Sequence, residues 1–184
     1  MNAIQLLKDD HKKVRGLLAD LEATTKRGAK KRSALLEKIA TELEVHASIE
    51  EEIFYPAFRA AGQKADDEGM YFEALEEHRA AIELVLPDLQ RTATDSDQFS
   101  GRAKVLKEMI EHHAREEERE MFPRARKLLS AAALLDLGKN MQARKRELLA
   151  DRAGANLVTR AADKLIVATV AAVLPRGDEA QARS

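Results

Sequence analysis

Apolar residues recur along this chain in steps of three and four, the spacing that gathers them on one face of an α-helix. Ile4, Leu7, His11, Val14, Leu18 and Leu21 form one stripe, and Leu36, Ile39, Leu43, His46, Glu50, Ile53 and Ala57 form the next. A third runs Tyr71, Leu75, His78, Ile82, Val85 and Leu89, and a fourth Ala103, Leu106, Ile110, His113, Glu117 and Met121. Gly28, Gly62, the run Thr92–Ser100, Gly154 and Pro175 with Gly177 interrupt the pattern and divide the chain into helix-length pieces. Short connections make consecutive helices antiparallel neighbours, which predicts an all-α, up-down-up-down four-helix bundle over residues 1–130.

Residues 131–184 are expected to form a C-terminal helical extension. One helix spans 131–151 and carries Leu134, Leu135, Leu137, Met141, Leu148 and Leu149, with Gly138 weakening its middle by about 1 kcal/mol relative to alanine. A further helix spans 155–174, with Leu157, Ala161, Leu165, Ala168 and Ala172 on one side, and the tail from Pro175 is expected to fray. That apolar side either packs across the bundle or forms a homodimer contact. The basic run from Lys139 to Arg146 reads as a solvated face.

Composition narrows the chemistry. The chain has 184 residues and no cysteine, which removes disulfides, thiolate catalysis and every cysteine-ligated zinc or iron–sulfur site. Its 31 Lys plus Arg nearly balance 32 Asp plus Glu, so no global charge draws it to nucleic acid or an anionic membrane. The basic loop Lys26 to Arg32 has no interleaved aromatics, and no nucleic-acid partner is expected. The longest apolar stretch, Leu165 to Leu174, falls far short of the roughly 20 residues that span a bilayer, so no membrane role is expected. Lys8, Asp9, Asp10 and His11 precede any apolar run of leader length, which predicts a cytoplasmic protein.

Polar residues set into the apolar stripes carry the functional signal. The second half repeats the first at an offset of 67: His11 falls on His78, His46 on His113, Glu50 on Glu117 and Pro56 on Pro123. The segments HASIEEEIFYP and HAREEEREMFP align without a gap. His46 with Glu50, and His113 with Glu117, are i,i+4 pairs whose imidazole and carboxylate share a helix face. His11 and His78 supply one imidazole from each of the other two helices. Burying Glu50 and Glu117 without a counter-charge costs several kcal/mol, and the stripes hold no Lys or Arg at matching depth. A cation answers that cost. Six donors exceed one tetrahedral site and two carboxylates can bridge, so two metal ions are the natural number. Nitrogen and oxygen donors without sulfur favour iron, with manganese next and zinc less suited.

Neighbouring residues have other readings. His112 lies about 100° around the helix from His113 and points off the stripe, so ligation is assigned to His113. Glu51, Glu52, Glu116 and Glu118 also leave the stripe and read as a solvated acidic face or as groups behind the ligands. Tyr55 precedes Pro56 where Phe122 precedes Pro123, so only the first half offers a phenol near the site. Ideal helix phase turns it away from Glu50, which makes packing the default. Distortion before Pro56 would open a hydrogen bond to a ligand or phenolate ligation.

The order His, then H-x-x-x-E, twice over, resembles the bacterial hemerythrin-like proteins, the HHE cation-binding family, over about residues 1–130. The resemblance implies two iron ions in an Fe–O–Fe centre, with Glu50 and Glu117 as bridges and the four histidines as terminal ligands. It also implies that His11 shares an iron with His113, and His46 with His78. The oxygen-carrying members have a second histidine four residues from the one on the third helix, and here Ala74 and Ile82 occupy those flanking positions. The resulting open position turns expectation from oxygen carriage toward binding or reducing a small oxidant such as peroxide, oxygen or nitric oxide, in redox stress or sensing. An iron or oxygen sensor that signals to a partner without turnover is the alternative.

Overall fold

The structure, a computed structural model, describes residues 1–173, with side chains for residues 1–155. Among the described residues the chain forms five helical rods. α1 is Ala3–Glu22. α2 begins as Ala29–Ile49, widens into a π-helical turn at Glu50–Phe54 and ends as Tyr55–Ala61. α3 follows the same plan through Ala65–His78, Arg79–Val85 and Leu86–Gln90. α4 repeats it through Asp97–Glu116, Glu117–Met121 and Phe122–Leu128. α5 is Ala131–Val173.

Polar side chains start two of these rods. The Asn2 side chain accepts a hydrogen bond from the Gln5 amide at 2.9 Å, and Ser96 accepts one from the Phe99 amide at 3.1 Å. Each satisfies an amide that the first turn leaves without a helical partner. α1 to α4 then close into the expected four-helix bundle, with α1 against α2 and α4, and α3 against α2 and α4. The predicted stripes meet inside it. Val14, Leu18, Leu36, Ile39, Leu43, Leu89, Phe99 and Leu106 fill one end with a continuous aliphatic core. Each fully buried Leu, Ile or Phe contributes roughly 1.5–3 kcal/mol. Phe54, Tyr55, Phe58 and Phe122 close the other end, with Phe54 and Phe122 edge to face at 5.7 Å. The polar stripe residues lie between the aliphatic core and this aromatic cap.

The C-terminal extension departs from expectation in two ways. The helices expected over 131–151 and 155–174 are one continuous helix, Ala131–Val173. A glycine costs a helix only about 1 kcal/mol, and Gly154 has neither a proline nor a competing cap beside it to convert that cost into a break. The basic run is also more than a solvated face: Arg144 pairs with Glu52 at 2.7 Å and Lys145 with Asp10. Gly138 has a packing reason, because a Cβ there would stand 2.6 Å from the Met1 carbonyl oxygen and 2.7 Å from the Ala3 nitrogen. Only glycine lets α5 cross the start of α1 so closely. The chain divides into two compact units, Met1–Arg146 and Glu147–Ser184. The apolar side expected on residues 155–174, its dimer contact and the tail from Pro175 lie outside the described side chains. Among the described residues no helix is long and apolar enough to cross a membrane.

In the first turn of α2, Arg32 is buried and donates to Thr24, to the Thr94 carbonyl and to Ser100, while Lys26, just before α2, pairs with Asp97. Both ends of the basic loop are thus engaged within the fold.

Candidate metal centre

Each π-helical turn runs into a proline. Pro56, Pro87 and Pro123 sit in the first turn of the α segment that follows. Proline lacks an amide hydrogen and its ring collides with the carbonyl four residues back, a conflict that a wider turn relieves. The amides of Tyr55, Leu86 and Phe122 accordingly bond back five residues, to Glu50, Ala81 and Glu117. A π turn holds more residues per revolution than an α turn, so Tyr55 comes round to the ligand side. The default expectation for Tyr55 is therefore corrected. Its hydroxyl donates to Glu117 Oε1 at 2.9 Å and lies 3.3 Å from His78 Nε2.

All six predicted polar residues converge in the interior, none more than 5% exposed. His46 Nε2 and His78 Nε2 lie 3.1 and 3.3 Å from Glu50 Oε2. His11 Nε2 and His113 Nε2 lie 3.1 and 3.6 Å from Glu117 Oε2. Two donor sets result, His11, His46, Glu50 and Glu117 in one and Glu50, His78 and His113 in the other, each within 4.8 Å. Glu50 belongs to both. The donor sets group His11 with His46 and His78 with His113, where the expectation groups His11 with His113 and His46 with His78. The rings of His11 and His46 are 4.9 Å apart, those of His78 and His113 are 4.7 Å apart, and the last two bring their Nε2 atoms to 3.1 Å. The reason is connectivity, since each repeat closes its hairpin and places its own two imidazoles side by side.

These residues fit a cation. His11 Nε2, His46 Nε2, Glu50 Oε1 and Glu117 Oε2 are buried and make no hydrogen bond. Buried polar atoms are almost always paired, so four unpaired ones around one point mark a place for an ion. Electrostatics agree. Burial, then the neighbouring Glu117, push the Glu50 carboxyl well above its ordinary value. Burial acts the same way on Glu117, but His113 and His11 beside it bring that carboxyl below the usual range. Burial lowers the His46 imidazole to about 4. It acts on His11 and His113 too, yet Glu117 lifts both above 6.5, helped by Glu118 and Glu77. Burial and Glu117 hold the Tyr55 phenol far up, so it is a hydrogen-bond donor at neutral pH.

A ring of carboxylates stands behind the imidazoles. Glu118 meets His11 Nδ1 at 2.9 Å, Glu51 meets His78 Nδ1 at 2.8 Å and Glu77 meets His113 Nδ1 at 2.7 Å. A carboxylate on the outer nitrogen fixes the tautomer, aims the inner nitrogen and raises its basicity. Asp10 takes the fourth place, 3.6 Å from His46 Nδ1. Glu51 and Glu118 therefore act on the buried histidines, while Glu52 serves the contact with α5. Asp10 and Glu77 escaped the sequence reading, although their signal was present: each precedes a stripe histidine, and they are 67 residues apart. His112 is 59% exposed beside Glu77 and Glu116 at the surface, as its helix phase requires.

A four-helix bundle with a buried, repeated His/Glu cluster defines a cation-binding domain of the hemerythrin type. The sequence matches the Hemerythrin HHE cation binding domain over residues 2–125, and the chain belongs to that family. It is 32% identical over 150 residues to Uncharacterized protein Rv2633c of Mycobacterium tuberculosis, covering 80% of this chain and 88% of that one. The crystal structure of the Rv2633c homolog from Mycobacterium kansasii, a Hemerythrin HHE cation binding domain-containing protein, superimposes with a TM-score of 0.70. It shares 31% identity and covers 80% of this chain and 87% of that one. A Nostoc protein named DNA nickase is 28% identical over 131 residues, 71% of this chain but 35% of its own length.

Proposed function

We propose that this protein holds two iron ions and binds or reduces a small oxidant, peroxide, oxygen or nitric oxide, in redox stress or sensing. His11, His46, His78 and His113 would be the terminal ligands, and Glu50 and Glu117 the carboxylates shared between the ions. Iron supplies Lewis acidity and readily exchanged electrons, which none of the chain's own side chains offers at this place. Manganese and zinc suit the donors less well. We place the activity in the cytoplasm, where a reductant is at hand to restore ferrous iron.

One observation carries the reading. All four imidazoles border a small cavity whose other walls are aliphatic apart from the Glu77 carboxylate, with Val14, Leu43, Ile82 and Ile110 among them. Apolar walls beside a carboxylate admit a small uncharged molecule and disfavour an anion, which would shed its water next to a like charge. Ile82, four residues after His78, lines this cavity where the oxygen carriers are expected to have another imidazole. The second donor set is thereby left one group short, with room for an exogenous ligand on the cavity side. Tyr55 keeps a protonated hydroxyl on Glu117 and orients that carboxylate.

A sensor without turnover is the second reading, favoured by the contact of α5 with Asp10 beside His46. Adding peroxide in excess to the iron-loaded protein separates the two. Repeated consumption supports turnover, by disproportionation if dioxygen is released without a donor and by reduction if it requires an added reductant, while a single stoichiometric oxidation with and without that reductant supports the sensor. An iron-loaded protein whose absorption does not respond to peroxide, oxygen or nitric oxide would contradict both.

A further inference from the structure

The carboxylates behind the histidines obey the 67-residue repeat. Asp10 and Glu77 stand just before His11 and His78, and Glu51 and Glu118 just after Glu50 and Glu117. Three of the four bond to an imidazole Nδ1 at 2.7–2.9 Å. The fourth breaks the symmetry. Asp10 Oδ2 and His46 Nδ1 are both buried, 3.6 Å apart, and neither has a hydrogen bond. The other Asp10 oxygen is held by the ammonium group of Lys145 on α5. Lys145 is itself well covered, and its surroundings fix its position. Arg144 next to it grips Glu52 through two nitrogens at 2.7 and 3.1 Å, and Met141 one turn earlier is fully buried.

Nothing in the repeat supplies this cation. Glu77, the counterpart of Asp10, faces only His112 and His113 among the ion pairs of the described residues. The extension therefore adds to the first half of the site a contact that the second half lacks.

We propose that Lys145 is a positioning residue for His46. By holding Asp10 it denies His46 the outer carboxylate bond that the other three imidazoles have. The His11–His46 position becomes the weaker of the two metal positions and the first to empty. The inference rests on the two-metal reading above. Its physical basis is that a carboxylate on the outer nitrogen both aims the imidazole and increases its donor strength, an effect worth about 10- to 100-fold in metal affinity. Without Lys145, His46 Nδ1–H is the donor nearest to the freed Asp10 oxygens, and the carboxylate turns onto it.

The test is an anaerobic titration of the full chain with ferrous iron against a chromogenic chelator. The wild type is expected to show two unequal dissociation constants. Lys145→Met is expected to tighten the weaker one about 10-fold and leave the stronger unchanged. Lys145→Arg, which keeps the cation, is expected to match the wild type, and Lys145→Met with Asp10→Asn to lose the gain. In the zinc-loaded protein the His46 Nδ1–H proton should move downfield in Lys145→Met, a signature that mere loosening of α5 would not produce. Lys145→Gln carries the same expectation where the methionine variant does not fold. Two equal constants in the wild type, or an unchanged or weakened constant in Lys145→Met, would overturn the proposal while leaving the two-metal reading intact. A wild type that takes up fewer than two ions would overturn both.

Discussion

Tyr55 donates a hydrogen bond to Glu117 at 2.9 Å across 62 residues, tying a phenol of the first repeat, whose counterpart is Phe122, to the carboxylate of the second. The tyrosine reaches that carboxylate because Pro56 forces a π-helical turn at Glu50–Phe54. Tyr55→Phe keeps the ring packing and removes the donor, leaving Glu117 Oε1 buried without a partner. Denaturant unfolding of the metal-free variant should show a loss of about 1–3 kcal/mol. Unchanged stability would mean that the bond is immaterial to the fold.

Glu50 shows a conflict between stability and site. It is fully buried, and both burial and Glu117 oppose its ionisation, so it destabilises the metal-free protein. Glu50→Gln is expected to raise the melting temperature of the metal-free chain, by the equivalent of about 1 kcal/mol or more. The same change should abolish the stabilisation that added metal gives. A lower melting temperature in the metal-free variant would contradict this account of Glu50.

Much of this was legible in the sequence because it depends on helical periodicity. The stripes through Leu18, Ile39, Leu89 and Leu106 place the core, and the HxxxE pairs, spaced one turn apart, place Glu50 and Glu117 beside the histidines. What escaped was what periodicity does not encode. The π turns shift the phase by part of a turn, so Tyr55 came out on the wrong side. The pairing of His11 with His46 depends on how each hairpin closes, which spacing alone leaves open. Asp10 and Glu77 lie off the apolar stripe and act through neighbouring helices. The contact of Lys145 with Asp10 joins residues 135 apart, beyond the reach of any local pattern.

Gly138 reads in the sequence as a weak point of its helix and in the structure as a close crossing. Alanine would favour the helix by about 1 kcal/mol, but its Cβ would meet the backbone of Met1, Asn2 and Ala3 at 2.6–2.7 Å. Overpacking of this kind costs about 1–3 kcal/mol, so Gly138→Ala is expected to destabilise the protein. A stabilised variant would show that the start of α1 yields without cost.

Metal uptake should release protons. Glu117 holds protons on His11 and His113 above pH 6.5, and a metal ion needs both imidazoles neutral. The protonated fraction grows as pH falls, so affinity should fall with it from the neutral range downward. His46, neutral down to about pH 4, gives up no proton there. Titration calorimetry at pH 6.5 in buffers of different ionisation enthalpy should show net release that shrinks as pH rises. Zero release at pH 6.5 would contradict the arrangement.

The most direct test is the metal content of the protein after anaerobic loading with ferrous iron and removal of the excess, measured alongside His113→Ala. Two irons per chain, reduced in the variant, with a visible spectrum that changes on adding peroxide, is the predicted result. No retained iron, or the same content in both proteins, would contradict the assignment of this cluster as the iron site.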